Sequence, residues 1–219
     1  MNRYRTPLFP ISLYHSCISD NNKIKELVYP LIEKYNQRHT NPPEGWFTNK
    51  LQTSFDDEEV KKIMMDTDNK IGKELNRQYS DVVRTFFDIP FEVQINDMWY
   101  NVYENGEYQE AHTHFGVYNN PNHYACVHFL NFDPKVHAPL CVLDPLRHLR
   151  ISSFEYFNNT EYKDDHNFLN VKEGDLLMFP AYLEHEVRPS PPTPGNPRIT
   201  ISFNLKVVDA GEHLLKDDK

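Results

Sequence analysis

The feature that most restricts the fold of this chain is a change of hydrophobic period near residue 90. Before it, apolar residues recur at helical spacing; after it, they alternate or come in short runs cut by turn residues. Ile24, Leu27, Val28, Leu31, Ile32 and Tyr35 form a helical stripe behind Asp20, a residue type that caps helix N-termini. Pro30 inside the stripe predicts a kink or a break, because it lacks an amide donor and crowds the preceding turn. A second stripe carries Val60, Ile63, Met64, Ile71 and Leu75. It opens on Asp56-Asp57-Glu58-Glu59, whose charge suits the positive end of a helix. From residue 91, Phe91, Val93 and Ile95 alternate with polar neighbours, as in a half-buried strand. Short β-branched, aromatic or apolar runs follow at 124–130, 140–143, 176–179 and 199–208, divided by turn residues. The stretch 188–197 holds five prolines and must be a loop. The pattern predicts a mainly β fold with N-terminal helices: one domain over 1–219, with a helix-rich part, 1–90, packed on one side of a sandwich or jelly-roll core, 91–208.

A chain of 219 residues can bury a core of this kind without disulfide or metal staples. The net charge of −9 argues against a nucleic-acid backbone or an anionic membrane as the main partner. Cys17, Cys126 and Cys141 form no CxxC pair and read as small hydrophobes or inert thiols. Residues 1–13 carry no signal-peptide core, and no apolar run reaches a membrane span. A reducing cytoplasm is the expected location. There are seven glycines and no GxxxxGK[ST] or GxGxxG, so the standard nucleotide cradles are missing.

Three of the eleven histidines stand out. His112-Thr113-His114 places two imidazoles at i and i+2, on one face if the segment is a strand. His185 follows Gly174-Asp-Leu-Leu-Met-Phe-Pro180, a strand running into a turn. Two ligands from one strand and a third from a distant one can meet across a small barrel, leaving metal positions open for chemistry. An isolated HxH among this many histidines means little; Gly106, six residues before His112, and the glycine-led strand before His185 give it context. His123, His128, His137 and His148 have no partner at ligand spacing and read as structural.

The block Tyr103-Glu-Asn-Gly106-Glu-Tyr-Gln-Glu-Ala-His112-Thr-His114 resembles the prolyl-hydroxylase-type pattern Y-x-x-G-x-x-x-x-x-H-x-D. His185 followed by Arg198-Ile199-Thr200 resembles the H…R-x-S/T ending of iron(II)/2-oxoglutarate oxygenases. More closely, the chain is similar to a family of such oxygenases found in phages and marine bacteria. The shared features are Leu8-Phe9-Pro10, Trp99-Tyr100-Asn101, His112-Thr-His114, Phe179-Pro180 and Arg198-Ile-Thr-Ile-Ser-Phe-Asn204. The resemblance implies a double-stranded β-helix, a cupin-like jelly roll, using Fe(II), 2-oxoglutarate and O2. It implies that His112, His114 and His185 hold iron, and that Arg198 grips the distal carboxylate of 2-oxoglutarate with its planar fork. Thr200 and Tyr103 would line the same pocket. Most oxygenases of this kind hold iron by two histidines and a carboxylate. Here His114 stands at the carboxylate position, so either the site has three histidines or an acid such as Asp144 contributes. Asp144, in Leu143-Asp144-Pro145, equally suits the start of a turn. The prime substrate expected is a peptide or protein residue, such as proline, with the loop 188–197 flanking an open groove; a free amino acid or small metabolite is the alternative.

Two other readings compete. A cupin-type metal dioxygenase without 2-oxoglutarate would share Gly106, His112 and His114. However, Phe115-Gly-Val-Tyr-Asn119 lacks the expected glutamate, and Tyr182 replaces a motif glycine. A non-catalytic jelly-roll binding module would need no metal. Arg198-Ile-Thr and the N-terminal helices favour the oxygenase.

Overall fold

The structure is a computed structural model and describes residues 11–38, 42–48, 51–87, 92–116, 121–152 and 166–209. Leu8-Phe9-Pro10, Phe91 and the 117–119 part of the segment after His114 lie outside the described residues. A short strand β1 (Tyr14–Cys17) leads into helix α1 (Asn21–Tyr35). The side chain of Asp20 accepts from the Lys23 amide and caps α1 as expected. Pro30 does not break it. Ile24, Val28, Leu31, Ile32 and Tyr35, on both sides of the proline, are buried in one core, and their burial outweighs the lost hydrogen bond.

The second helical stripe is two helices rather than one. Strand β2 (Gln52–Thr53) precedes α2 (Glu58–Met65), which is capped by Asp57; α3 (Lys70–Arg84) is capped by Asn69. Between them the Asp66 carboxylate accepts from the Asp68 amide, a local bond that competes with helix continuation. The break lets α3 fold back onto α2. Gly72 makes this approach possible: a Cβ there would lie 2.3 Å from the Asp66 carbonyl oxygen.

Among the described residues, ten strands form two antiparallel sheets. The remaining strands are β3 (Glu92–Tyr103), β4 (Gln109–His112), β5 (Tyr124–Asn131), β6 (Leu140–Leu143), β7 (His166–Phe168), β8 (Asp175–Pro180), β9 (His185–Val187) and β10 (Arg198–Asp209), with a short helix α4 (Arg147–Ser152) after β6. The larger sheet runs β1-β8-β5-β10-β3-β2 and the smaller β4-β9-β6-β7. The architecture is the jelly roll expected, with helices on one side. Alternation along the strands of the large sheet sorts its two faces. Met98, Tyr100, Cys126, Met178, Ile201 and Phe203 pack on the three long helices. Tyr103, Ala125, Val127, Phe129, Leu177 and Phe179 point the other way, against Leu140, Val142 and Val187 of the small sheet.

Strand β10 lies between β5 and β3 and is buried on both faces from Arg198 to Leu205. Ile199, Ile201, Phe203 and Leu205 meet the helices, whereas Arg198, Thr200, Ser202 and Asn204 enter the space between the sheets. Its polar residues therefore face an interior pocket, not solvent. His128 is a structural residue, as expected: it is buried against Tyr79, whose hydroxyl lies 3.0 Å from its Nδ1, and burial pushes its pKa down to about 3. Cys126 and Cys141 are buried free thiols; Cys17, expected to be similar, is exposed on β1.

Gly72→Ala is expected to destabilise the protein by about 1–3 kcal/mol, the usual cost of overpacking a filled contact. Urea denaturation checks it; an unchanged midpoint would contradict the close α2–α3 approach.

Candidate metal centre

The three candidate histidines meet, by a route that differs from the one expected. His112 is the last residue of β4, and His114 lies beyond the strand. His185 opens β9, the direct neighbour of β4, and His112 pairs with it across the ladder. His112 and His185 are thus side by side in the small sheet, with His114 just beyond it, and not across a barrel from one another. Pairing shifts register between Gln109 and His112, so β4 carries one extra residue there. Such a bulge re-aims side chains. It brings Gln109 and His112, which strict alternation would send to opposite faces, into one cavity.

Each ring is fixed through Nδ1. His112 Nδ1 lies 2.8 Å from the Glu110 carbonyl oxygen, and His185 Nδ1 lies 3.0 Å from that of Leu183. His114 Nδ1 lies 2.7 Å from Asn204 Oδ1. A backbone carbonyl can only accept, so the Nδ1 of His112 and of His185 carries the proton; the amide oxygen assigned to Asn204 sets the same state at His114. The Nε2 lone pairs are left free, and they converge. Those of His112 and His114 lie 3.1 Å apart, and one ring nitrogen from each of the three residues falls within 4.8 Å of the others. Two imidazole nitrogens at right angles around one ion, each about 2.1 Å from it, stand about 3.0 Å apart. Burial lowers the pKa of all three; repulsion from the neighbouring imidazoles adds to this at His185 and at His114, which falls to about 4. They are neutral imidazoles at neutral pH, in the state a metal ligand requires.

Aromatic rings hold this arrangement. Trp99 stacks on His114 at 5.7 Å, and Phe179 meets His185 edge-on at 4.7 Å. No carboxylate among the described residues joins the cluster. Asp144 Oδ1 accepts from the Leu146 amide in a turn, its expected structural role.

A narrow cavity runs between the sheets from the histidines to Arg198. Arg198 is 2% exposed, and Nε and both terminal nitrogens have no hydrogen-bond partner. The guanidinium lies 4.6 Å from the Tyr103 ring centroid and 5.4 Å from that of Phe129. Burial lowers its pKa, opposed by Tyr103, and no acid contributes. Thr200 lines the same cavity, as expected, and the Tyr103 hydroxyl donates to Gln109 Oε1. Asn101 Oδ1 and Trp99 Nε1 also lack partners there. A buried cation and unmet polar groups on the walls are costly unless an anionic, hydrogen-bonding guest completes them.

Two features escaped sequence reasoning. Asn204 holds His114; it sits where β10 shifts register, a bulge that aims its side chain at the histidine. Its place in alternation with Arg198, Thr200 and Ser202 was the available signal. The second is an open mouth above the histidines, where Trp46, Phe55, Trp99 and Phe115 approach His112 and His114. The proline loop 188–197 does not border it among the described residues. The loop is tied to the β3–β4 turn by Thr193 N donating to the Glu104 carbonyl, at the Arg198 end of β10.

Residues 97–204 match the model of a family described as "Putative 2OG-Fe(II) oxygenase". Among curated proteins there is no match to the chain. Among solved structures, it is similar to a prolyl-4-hydroxylase from Pseudomonas putida: 13% identity, 90% of this chain and 93% of that one covered, TM-score 0.51. A prolyl hydroxylase from Trichoplax adhaerens, in complex with a hypoxia inducible factor oxygen degradation domain peptide fragment, gives 12%, 94%, 87% and 0.56. HygX from Streptomyces hygroscopicus, with nickel, 2-oxoglutarate and hygromycin B bound, gives 9%, 90%, 84% and 0.56. These likenesses are ones of fold: the double-stranded β-helix.

If the Nε2 triad seats a metal, Asn204→Ala should weaken Zn(II) or Co(II) binding by about 10–100-fold, the range seen when a ligand's orienting partner is removed. His114→Ala should cost more, and His114→Asp should still bind. Metal titration checks all three; wild-type affinity in both alanine variants would remove His114 from the ligand set.

Proposed function

With residues 97–204 placing this chain in the 2OG-Fe(II) oxygenase family, we propose that His112, His114 and His185 hold its iron and that Arg198 binds its 2-oxoglutarate. The observation that carries the reading is the Arg198 guanidinium, buried in the cavity below the histidines with none of its nitrogens paired. A dicarboxylate fits that cavity chemically. One carboxylate would pair with the guanidinium fork, and the keto-acid end would face the metal. Thr200 adds a hydroxyl to the same wall, and Tyr103 shields the cation from water. The donor set fits a divalent ion: three neutral nitrogens, fixed in orientation, with open positions left on the metal.

Iron(II) with 2-oxoglutarate and O2 supplies the oxidising power for hydroxylation of an unactivated C–H bond. The protein's own contribution is geometric and electrostatic. The Nδ1 acceptors keep the imidazoles oriented before iron arrives, so little reorganisation is needed. Burial between two sheets keeps water from the reacting centre. Three neutral ligands leave the ion's double positive charge for the dianionic cosubstrate to balance.

For the prime substrate, the reading is a residue of a peptide or protein, such as proline. The structural likeness to two prolyl hydroxylases, one with a peptide bound, supports it, and the mouth above the histidines is where it would enter. No described helix is long and apolar enough to cross a membrane. A cytoplasmic location belongs to the same reading, supported by the free thiols at Cys17, Cys126 and Cys141.

Arg198→Ala should raise the apparent KM for 2-oxoglutarate by orders of magnitude, since truncating one member of a buried charge pair costs about 2–5 kcal/mol. The assay is 2-oxoglutarate consumption with iron held saturating. An unchanged KM would favour the cupin-type reaction without 2-oxoglutarate.

A further inference from the structure

The mouth above the histidines has a chemistry of its own. Trp46, Phe55, Trp99 and Phe115 wall it, and among the described residues its lining holds Asp97 and Glu110 and no lysine or arginine. The rings form a connected wall: Trp46 to Phe55 is 5.0 Å, and Phe55 meets Trp99 edge-on at 5.1 Å. Phe115 is 71% exposed, a large apolar surface held open to solvent beside the centre.

The two acids differ in their partners. Asp97 faces Lys61 at 3.5 Å, and the same ammonium stands 4.9 Å from the Phe55 ring centroid, so the protein already sets a cation against this wall. Glu110 has no such partner. Its Oε1 accepts from the Phe47 amide at 3.0 Å, fixing the segment that carries Trp46, while Oε2 is buried with no hydrogen-bond partner. A carboxylate oxygen withdrawn from water in this way is costly until a donor reaches it, and most favourably a charged donor. Aromatic faces attract the same kind of group.

We propose that the prime substrate carries an ammonium or guanidinium group that enters this mouth, lies against Trp46 and Trp99, and donates to Glu110 Oε2. The inference rests on the oxygenase reading for the word substrate, but its residues lie outside the proposed iron and 2-oxoglutarate ligands. A neutral donor would meet Glu110 with a weaker hydrogen bond and leave its charge unbalanced, and an anionic guest would oppose both carboxylates. At the metal position three neutral imidazoles, a divalent ion and a dianionic cosubstrate would sum to zero charge, and the remaining cation of the cavity, Arg198, lies toward its other end and is absent from the mouth lining. The cationic group belongs either to a free amine or to a basic residue of a peptide.

Both tryptophans of the chain, Trp46 and Trp99, stand in this mouth, so intrinsic fluorescence reports on it directly. The full chain, loaded with Zn(II) and 2-oxoglutarate, would be titrated with n-butylamine and with the N-acetyl methylamides of lysine, norleucine and glutamate. A saturable change is expected with the two cations and not with norleucine or glutamate. Tighter binding of the blocked lysine points to a peptide residue, and equal binding to a free amine. Glu110→Gln keeps an acceptor for the Phe47 amide and removes the charge; it should weaken the cation response roughly tenfold or more. An equal response to norleucine, no saturable response to either cation, or undiminished affinity in Glu110→Gln overturns the proposal. Calorimetry of Zn(II) and 2-oxoglutarate on the same samples separates the two readings. If 2-oxoglutarate does not bind while the cation response persists, the oxygenase reading fails and the cation site stands.

Discussion

From Arg198 to Leu205, strand β10 is buried on both faces, and the molecule is arranged around what each face demands. One face is Ile199, Ile201, Phe203 and Leu205, which require a hydrocarbon partner; α1, α2 and α3 supply it. The other is Arg198, Thr200, Ser202 and Asn204, all between 1% and 6% exposed. Groups of that kind are tolerated inside a protein only when something polar meets them. Asn204 is met by His114, and Ser202 by Asn101. Among the described residues no hydrogen-bond partner meets Arg198, which lies against aromatic rings. The small sheet closes over this face and turns a row of buried polar residues into a cavity, with the three histidines toward one end and the Arg198 guanidinium toward the other.

The absence of a carboxylate from the histidine cluster follows the same economy of charge. A carboxylate ligand would partly neutralise the ion and leave less of its charge for an anionic guest. His114 keeps the ligand set neutral, and its partner is likewise neutral, an amide and not an acid. Positive charge is therefore conserved at both ends of the cavity, at the metal position and at Arg198. That suits a doubly anionic molecule spanning the two. The acids instead lie in the mouth, on the side from which the organic substrate would approach.

Much of this was legible in the sequence, and the parts that were not have physical reasons. The period change near residue 90 separates the long helices from the main β-rich region, and strands β5, β6, β8 and β10 coincide closely with apolar runs. Strands β1, β2, β4, β7 and β9 are short, with too few residues for alternation to register. The α2–α3 break was hidden because the apolar stripe continues across it, while the decisive events are an Asp66 turn and a glycine contact. His112, His114 and His185 were visible through residue type and spacing, and they do meet; that the strands carrying His112 and His185 are direct neighbours was not visible. One bulge in β4 decides which face a side chain takes, and a bulge leaves no mark on the hydrophobic pattern. Arg198 was visible through resemblance; its isolation from every other charge was not, since that depends on what packs around it.

The account stands on a dianion binding between three neutral imidazoles and a buried guanidinium. The direct measurement is anaerobic: Fe(II) is added to the full chain, then 2-oxoglutarate, while the visible spectrum is followed. A metal-to-ligand charge-transfer band should appear and saturate at one 2-oxoglutarate per iron, and spectroscopy of the iron form should count three imidazole ligands. Tight iron binding with no such band at any 2-oxoglutarate concentration, or a count of two imidazoles, would contradict the account.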